Sequence, residues 1–146
     1  MAIAAFSLGD IRIGQTASFE TEVNAADLDR FAALTGDVNP LHMDSEFARR
    51  RGFEDRVVHG ALLAGLVSRL VGVHLPGRDC LMHALQMKFN APTRVGSRIR
   101  VTGVVDQVSE AARAVVLKVS IVDAASAAAL ASGKVNLGFT EDLRNG

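Results

Sequence analysis

Asp37 and His42 stand five residues apart in Thr35-Gly36-Asp37-Val38-Asn39-Pro40-Leu41-His42, a carboxylate and an imidazole on either side of an Asn-Pro step. A regular helix would turn residues at that spacing to different faces. Pro40, however, lacks an N–H and pushes Asn39 towards an extended conformation, so Asp37 to His42 is expected to be a shaped loop that folds the two side chains together. Such a pair can hold one water, and positioned proton transfer contributes roughly 10²–10⁴-fold in rate. Spacing alone also admits a plainer reading, with Asp37 capping a turn, Asn39 tying the loop backbone and His42 sitting in the core as a satisfied histidine.

A second candidate is the start of the apolar stretch after Val58-His59-Gly60. A helix beginning there would present unpaired N–H groups and the positive end of its dipole, and Gly60 would let a ligand carbonyl approach closely enough for its N–H to stabilise an oxyanion. Gly60 serves equally well as a residue that permits tight packing. Gly60, Ala64 and Ser68 recur at four-residue spacing as a stripe of small side chains, against which either a substrate or a strand of a sheet would lie. His42 and His59 with Asp37 and Asp44 match no metal-ligand spacing, so no metal is expected. The run Arg49-Arg50-Arg51 reads either as a phosphate contact or as a solvated helix end. A phosphate-binding glycine loop and a Gly-x-Ser-x-Gly elbow are both absent, which sets aside nucleotide-dependent and serine-hydrolase chemistry.

The elements that must position these residues follow from periodicity. Asn24 caps a helix with Leu28, Phe31, Ala32 and Leu34 at helical spacing, and Gly36 ends it. Asp44 caps a shorter helix, Ser45 to Arg51, stopped by Gly52. A third helix runs from His59-Gly60 to about His74, and its nearly continuous apolar surface predicts burial on all sides. After Gly77 the pattern alternates, giving strands around Leu81–Phe89, Ile99–Val105, Val115–Ile121 and Ala129–Phe139, with an early strand at Ala17–Val23. One central helix followed by consecutive strands predicts an α+β domain, an antiparallel sheet wrapped around that helix, over residues 1–146. Its free edge and second face favour pairing with another copy, as a homodimer or a dimer of dimers.

Composition narrows the function classes. Sixteen basic and sixteen acidic residues leave no net charge, and there is no Trp or Tyr to interleave with basic residues, so neither nucleic acid nor an anionic membrane surface is an expected partner. A single cysteine, Cys80, fits a reducing, cytoplasmic compartment, and neither a secretory leader nor a membrane span is apparent.

The stretch Phe31 to Asp44, with Gly36-Asp37-x-Asn39-Pro40-x-His42 at its centre, resembles the hydratase-2 signature of MaoC-like (R)-specific enoyl-CoA hydratases. The resemblance continues through Phe47-Ala48, Gly52-Phe53, Val58-His59-Gly60 and Phe89 to Gly96, and covers about residues 10 to 140 in order. It implies the hot-dog fold with the sheets of two subunits joined. It also implies reversible hydration of trans-2-enoyl-CoA to (R)-3-hydroxyacyl-CoA, as in fatty-acid and polyhydroxyalkanoate metabolism, with a coenzyme A thioester as substrate and no metal or bound cofactor. By position, Asp37 and His42 would activate the water and the Gly60 N–H would receive the thioester oxygen. Asn39 would hold the loop, Ser68 would lie near the water or acyl group, and Val71 would wall the acyl pocket. The competing expectations are a hot-dog acyl thioesterase, and a dehydratase subunit or acyl-thioester-binding domain that needs a partner.

Overall fold

A computed structural model of the chain describes residues 1–141; the last five residues of the domain expected over 1–146 lie outside the described residues. Five strands, β1 (Thr16–Val23), β2 (Cys80–Phe89), β3 (Ser97–Ser109), β4 (Ala114–Asp123) and β5 (Ala129–Phe139), form one antiparallel sheet in the order β1-β3-β4-β5-β2. All five agree with the alternating stretches of the sequence. β1 and β2 are its edges. Four helices, α1 (Ala25–Thr35), α2 (Pro40–Met43), α3 (Ser45–Arg50) and α4 (Gly60–Arg69), lie between β1 and β2 in the chain, and a 3-10 turn, Leu8–Asp10, precedes β1.

Local chemistry sets the helix ends. The Asn24 side chain accepts from the Asp27 N–H while the Asp27 carboxylate accepts from the Asn24 N–H, a reciprocal cap that starts α1. Gly36, at φ +80°, ends it in the left-handed region. The Asp44 carboxylate accepts from the N–H groups of Glu46 and Phe47 and starts α3. Residues 40–43, expected as loop, form the single turn α2, because a proline is favourable at the first position of a helix and the Asn39 side chain caps it by accepting from Leu41 N–H at 3.0 Å.

The core lies between α4 and the concave face of the sheet. Leu63, Val67, Leu70 and Val71 pack with Ile99, Val101, Leu117, Ile121, Val135 and Leu137, all of them buried. After Arg69 the helix widens into one π-helical turn, Leu70–His74, which packs across the sheet. Leu70 there lies directly on Gly103 of β3, where an added Cβ would come within 2.8 Å of its side chain. The expectation of burial on all sides is corrected: Ala61, Gly65 and Ser68 of α4 are exposed in the single chain, because α1 and α3 do not close over that face.

Candidate active site

Three segments meet at the N-terminus of α4: the link from α1 to α2, the extended residues Val57-Val58, and the link from β2 to β3. Val57 donates its N–H to the Leu41 carbonyl at 3.1 Å, and Val58 donates to the Thr93 carbonyl at 2.7 Å. Val57 also forms an isolated antiparallel bridge with Arg94. These bonds fasten the Asp37–His42 segment beside Gly60.

His42 Nδ1 lies 2.7 Å from the Val57 carbonyl oxygen. A carbonyl only accepts, so Nδ1 carries the proton and Nε2 is left with a free lone pair, the form a general base needs. Asp37 is exposed; its N–H donates to Thr35 Oγ1 at 3.2 Å, and its Oδ1 accepts from the Asn39 N–H at 3.3 Å. One titratable side-chain atom from each of Asp37, His42 and His59 lies within 4.8 Å of the others. A water hydrogen-bonded to two groups at ordinary distances spans about 4.6 Å between them. The bent segment therefore brings Asp37 and His42 together, and Asn39 holds the turn through its cap to Leu41.

His59 joins them, although the sequence assigned it no role beyond a rejected metal ligand and a place in Val58-His59-Gly60 at the helix start. It is 1% exposed, its ring is stacked on that of His42 with centroids 4.0 Å apart, and its other neighbour is Phe31 at 4.7 Å. Its Nε2 donates to the backbone carbonyl of Asp37 at 3.1 Å. The available signal was its position immediately before Gly60, at the start of the apolar helix.

Gly60 is the first residue of α4, and its N–H has no backbone acceptor among the described residues. An added Cβ would come within 3.1 to 3.3 Å of the Phe89 ring, so Gly60 stands in close approach to that side chain, with no unusual φ calling for a glycine. Gly60 and Phe89 line a cleft of about 360 Å³ together with His42, Val58, Leu63 and Thr93. Ser68 and Val71 do not line it: Ser68 lies on the exposed face of α4, and Val71 is packed in the core at 2% exposure. Two turns of helix separate Gly60 from Ser68, which carries the small-residue stripe away from the cleft mouth. A larger cleft of about 440 Å³ between α1 and α4 is lined by none of Asp37, His42 and Gly60, whereas the smaller one is lined by His42 and Gly60, with Asp37 outside its lining.

Arg56 locks the arrangement from behind. Its Nε donates to the His42 carbonyl and its Nη2 to Asp29 Oδ1 of α1 at 2.7 Å, with the arginine side chain only 12% exposed. Nearby, Ser45 Oγ and the Arg56 N–H donate to Asp55 Oδ1, and these bonds, Ser45's foremost, hold that carboxyl below its ordinary value. Arg56→Ala is expected to lower unfolding free energy by about 1–3 kcal/mol in urea titrations, since it strands the His42 carbonyl. Asp29→Ala is expected to cost less, its carboxylate being mostly solvated.

The three donors Asp37, His42 and His59 are a set that a divalent cation could use. The two imidazoles nevertheless lie within 28° of parallel, so their in-plane lone pairs run alongside each other rather than converge on one ion, and His59 Nε2 is already turned to a carbonyl. The arginine runs are largely balanced: Arg49 faces Asp55, Arg50 faces Glu46, Arg94 pairs with Glu54, and Arg98 and Arg100 share Glu20. Arg51 lies over the Phe47 ring at 4.9 Å. Among the described residues no helix is long and apolar enough to cross a membrane.

An antiparallel sheet packed on a helix, with an Asp/His loop at the helix start, is the arrangement of a hot-dog domain. Solved structures agree: the (R)-hydratase of Aeromonas caviae superimposes with a TM-score of 0.85 at 32% identity, covering 88% of this chain and 97% of that one. An R-hydratase of Pseudomonas aeruginosa shares the fold at a TM-score of 0.88 and 24% identity, over 94% of this chain and 87% of that one. The family model described as MaoC like domain matches residues 10–128, and the chain belongs to that family. Among curated relatives, the (R)-specific enoyl-CoA hydratases of Rhodospirillum rubrum and Aeromonas caviae are 37% and 40% identical, each over 64% of this chain. The 3-hydroxybutyryl-CoA dehydratase of Methylorubrum extorquens is 37% identical over 63%. The matched stretches span 65%, 69% and 59% of those three proteins.

Proposed function

We propose that this chain hydrates trans-2-enoyl-CoA to (R)-3-hydroxyacyl-CoA, reversibly. The observation that carries the reading is the closeness of Asp37 and His42, with a titratable atom of each within 4.8 Å of the other, where His42 turns Nδ1 to the Val57 carbonyl and shares its cleft with Gly60. In the hydration direction His42 Nε2 takes a proton from the water held against Asp37, and the water oxygen bonds to the β-carbon. The π electrons move onto the thioester oxygen, which the Gly60 N–H receives at the positive end of α4. The proton then passes to the α-carbon, so one water is added across the double bond and nothing is left over. The names of the relatives supply the (R) configuration and the acyl-CoA class.

Incubation of the purified protein with crotonyl-CoA tests this directly: loss of the enoyl absorbance with formation of the (R)-alcohol is expected. Release of free thiol without hydration would instead identify a thioesterase. The near-parallel imidazoles of His42 and His59 favour a site that needs no metal, so turnover is expected to survive prolonged dialysis against EDTA, measured on the same substrate; no bound cofactor is part of the proposal.

The assembly we propose is a homodimer joined through β2. That strand is an unpaired sheet edge carrying exposed Leu81 and Phe89, which a second copy would cover by extending the sheet. Light scattering checks it, with twice the 15.5 kDa chain mass expected. A cytoplasmic setting and a single domain over residues 1–146 complete the proposal. The polyhydroxyalkanoate role is stated for the Aeromonas hydratase, and here it is one possible use of an (R)-3-hydroxyacyl product.

A further inference from the structure

His59 is a costly residue to bury where it is. Its Nδ1 is inaccessible and has no hydrogen-bond partner among the described residues, and an unpaired buried acceptor is unfavourable. An apolar side chain between Phe31 and the His42 ring would avoid that cost, so the imidazole must be retained for what its other nitrogen does. Nε2–H donates to the backbone carbonyl of Asp37 at 3.1 Å, while the ring face lies 4.0 Å from that of His42. One rigid ring thus touches both members of the acid-base pair, one through its backbone and the other through its side chain. Its own main chain is fixed as well, since the His59 carbonyl starts α4 by accepting from Leu62 and Leu63.

Resting on the reading of Asp37 and His42 as that pair, we infer that His59 is the positioning residue that sets their separation, holding the Asp37 loop with its Nε2–H and the His42 imidazole with its ring face. Errors of about 1 Å in such a constellation can cost about 10²-fold in rate, so the effect belongs in kcat rather than in KM.

Two substitutions separate the two contacts. His59→Phe keeps a ring and removes the donor; kcat is expected to fall about 10-fold or more with KM within about threefold. His59→Gln keeps an amide donor and is expected to recover a substantial part of that loss. A His59→Phe enzyme within twofold of wild-type kcat overturns the inference, as does an equal loss in both variants. Two readouts do not depend on turnover. In wild-type protein, long-range nitrogen–proton NMR spectra are expected to place the His59 proton on Nε2, and a mixture of tautomers overturns the inference even if neither variant folds. The Asp37 carbonyl carbon resonance is expected to move in His59→Phe and to stay close to wild type in His59→Gln; no movement in His59→Phe also overturns it. Wild-type protein that hydrates no enoyl thioester would sink the functional reading alone, and these spectra would still decide the role of His59.

Discussion

Asp37→Asn and His42→Ala are each expected to lower turnover of crotonyl-CoA by about 10²-fold or more, with the fold retained. Asp37 is exposed and packs nothing, so its conversion to an amide removes a charge and a proton acceptor while leaving the loop its backbone bonds. His42→Ala removes the Nε2 base and also strands the Val57 carbonyl, which Nδ1–H satisfies in the native protein. A net loss of about 1 kcal/mol in stability accompanies it, far less than the catalytic effect. Because the two groups hold one water, the double variant is expected to be little worse than either single one. Steady-state rates with circular dichroism as the folding control provide the measurement, and unchanged rates in both single variants would end the assignment.

The second large effect is expected at Gly60, and there the backbone itself can be edited. Gly60 occupies the first position of α4, where proline is tolerated, and His59 before it has φ −56° and ψ 130°, the extended conformation that a following proline favours. Gly60→Pro therefore deletes the proposed oxyanion donor with little disturbance of the helix. A loss of about 10²–10³-fold in kcat is expected, the usual cost of removing one such donor. Gly60→Ala is the control, since it brings a Cβ to 3.1 Å from the Phe89 ring but keeps the N–H. The overlap amounts to a few tenths of an ångström against a side-chain ring rather than backbone, so a loss of under 10-fold is expected for alanine. Equal losses in the two variants would mean that bulk, not the N–H, matters at this position.

Most of the fold is legible in the chain because its signals are local. The Asn24 and Asp44 caps, the Gly36 and Gly52 stops and the period-two strands each depend on residues within a few positions, and each lies where periodicity puts it. The Asp37–His42 pairing is legible for the same reason, as the Asn39-Pro40 step bends the chain within the motif itself. His59 is not, because its meaning depends on a carbonyl twenty-two residues upstream and on burial that only the folded chain creates. Ser68 and Val71, placed at the site by the family resemblance, lie outside the lining of the cleft in the single chain, and spacing along α4 does not say where that cleft ends. The exposed face of α4 is illegible for a similar cause, since the apolar run marks a buried helix without saying whether other elements will cover Ala61, Gly65 and Ser68.

The two residues Val57-Val58 receive the loop on one side through Leu41 and His42 and the β2–β3 link on the other through Thr93 and Arg94. In terms of folding order, the pocket is closed by partners more than thirty residues apart in the chain, whereas α1, the link that carries Asp37 and the turn α2 that carries His42 are shaped by near neighbours. Loop closure over that distance carries an entropic cost that local turns avoid, so the site is completed after the elements that bear it. Catalytic competence is then a late reporter of the native topology, and a chain with its full helix content still lacks it until the sheet has drawn residues 90–96 onto the start of α4.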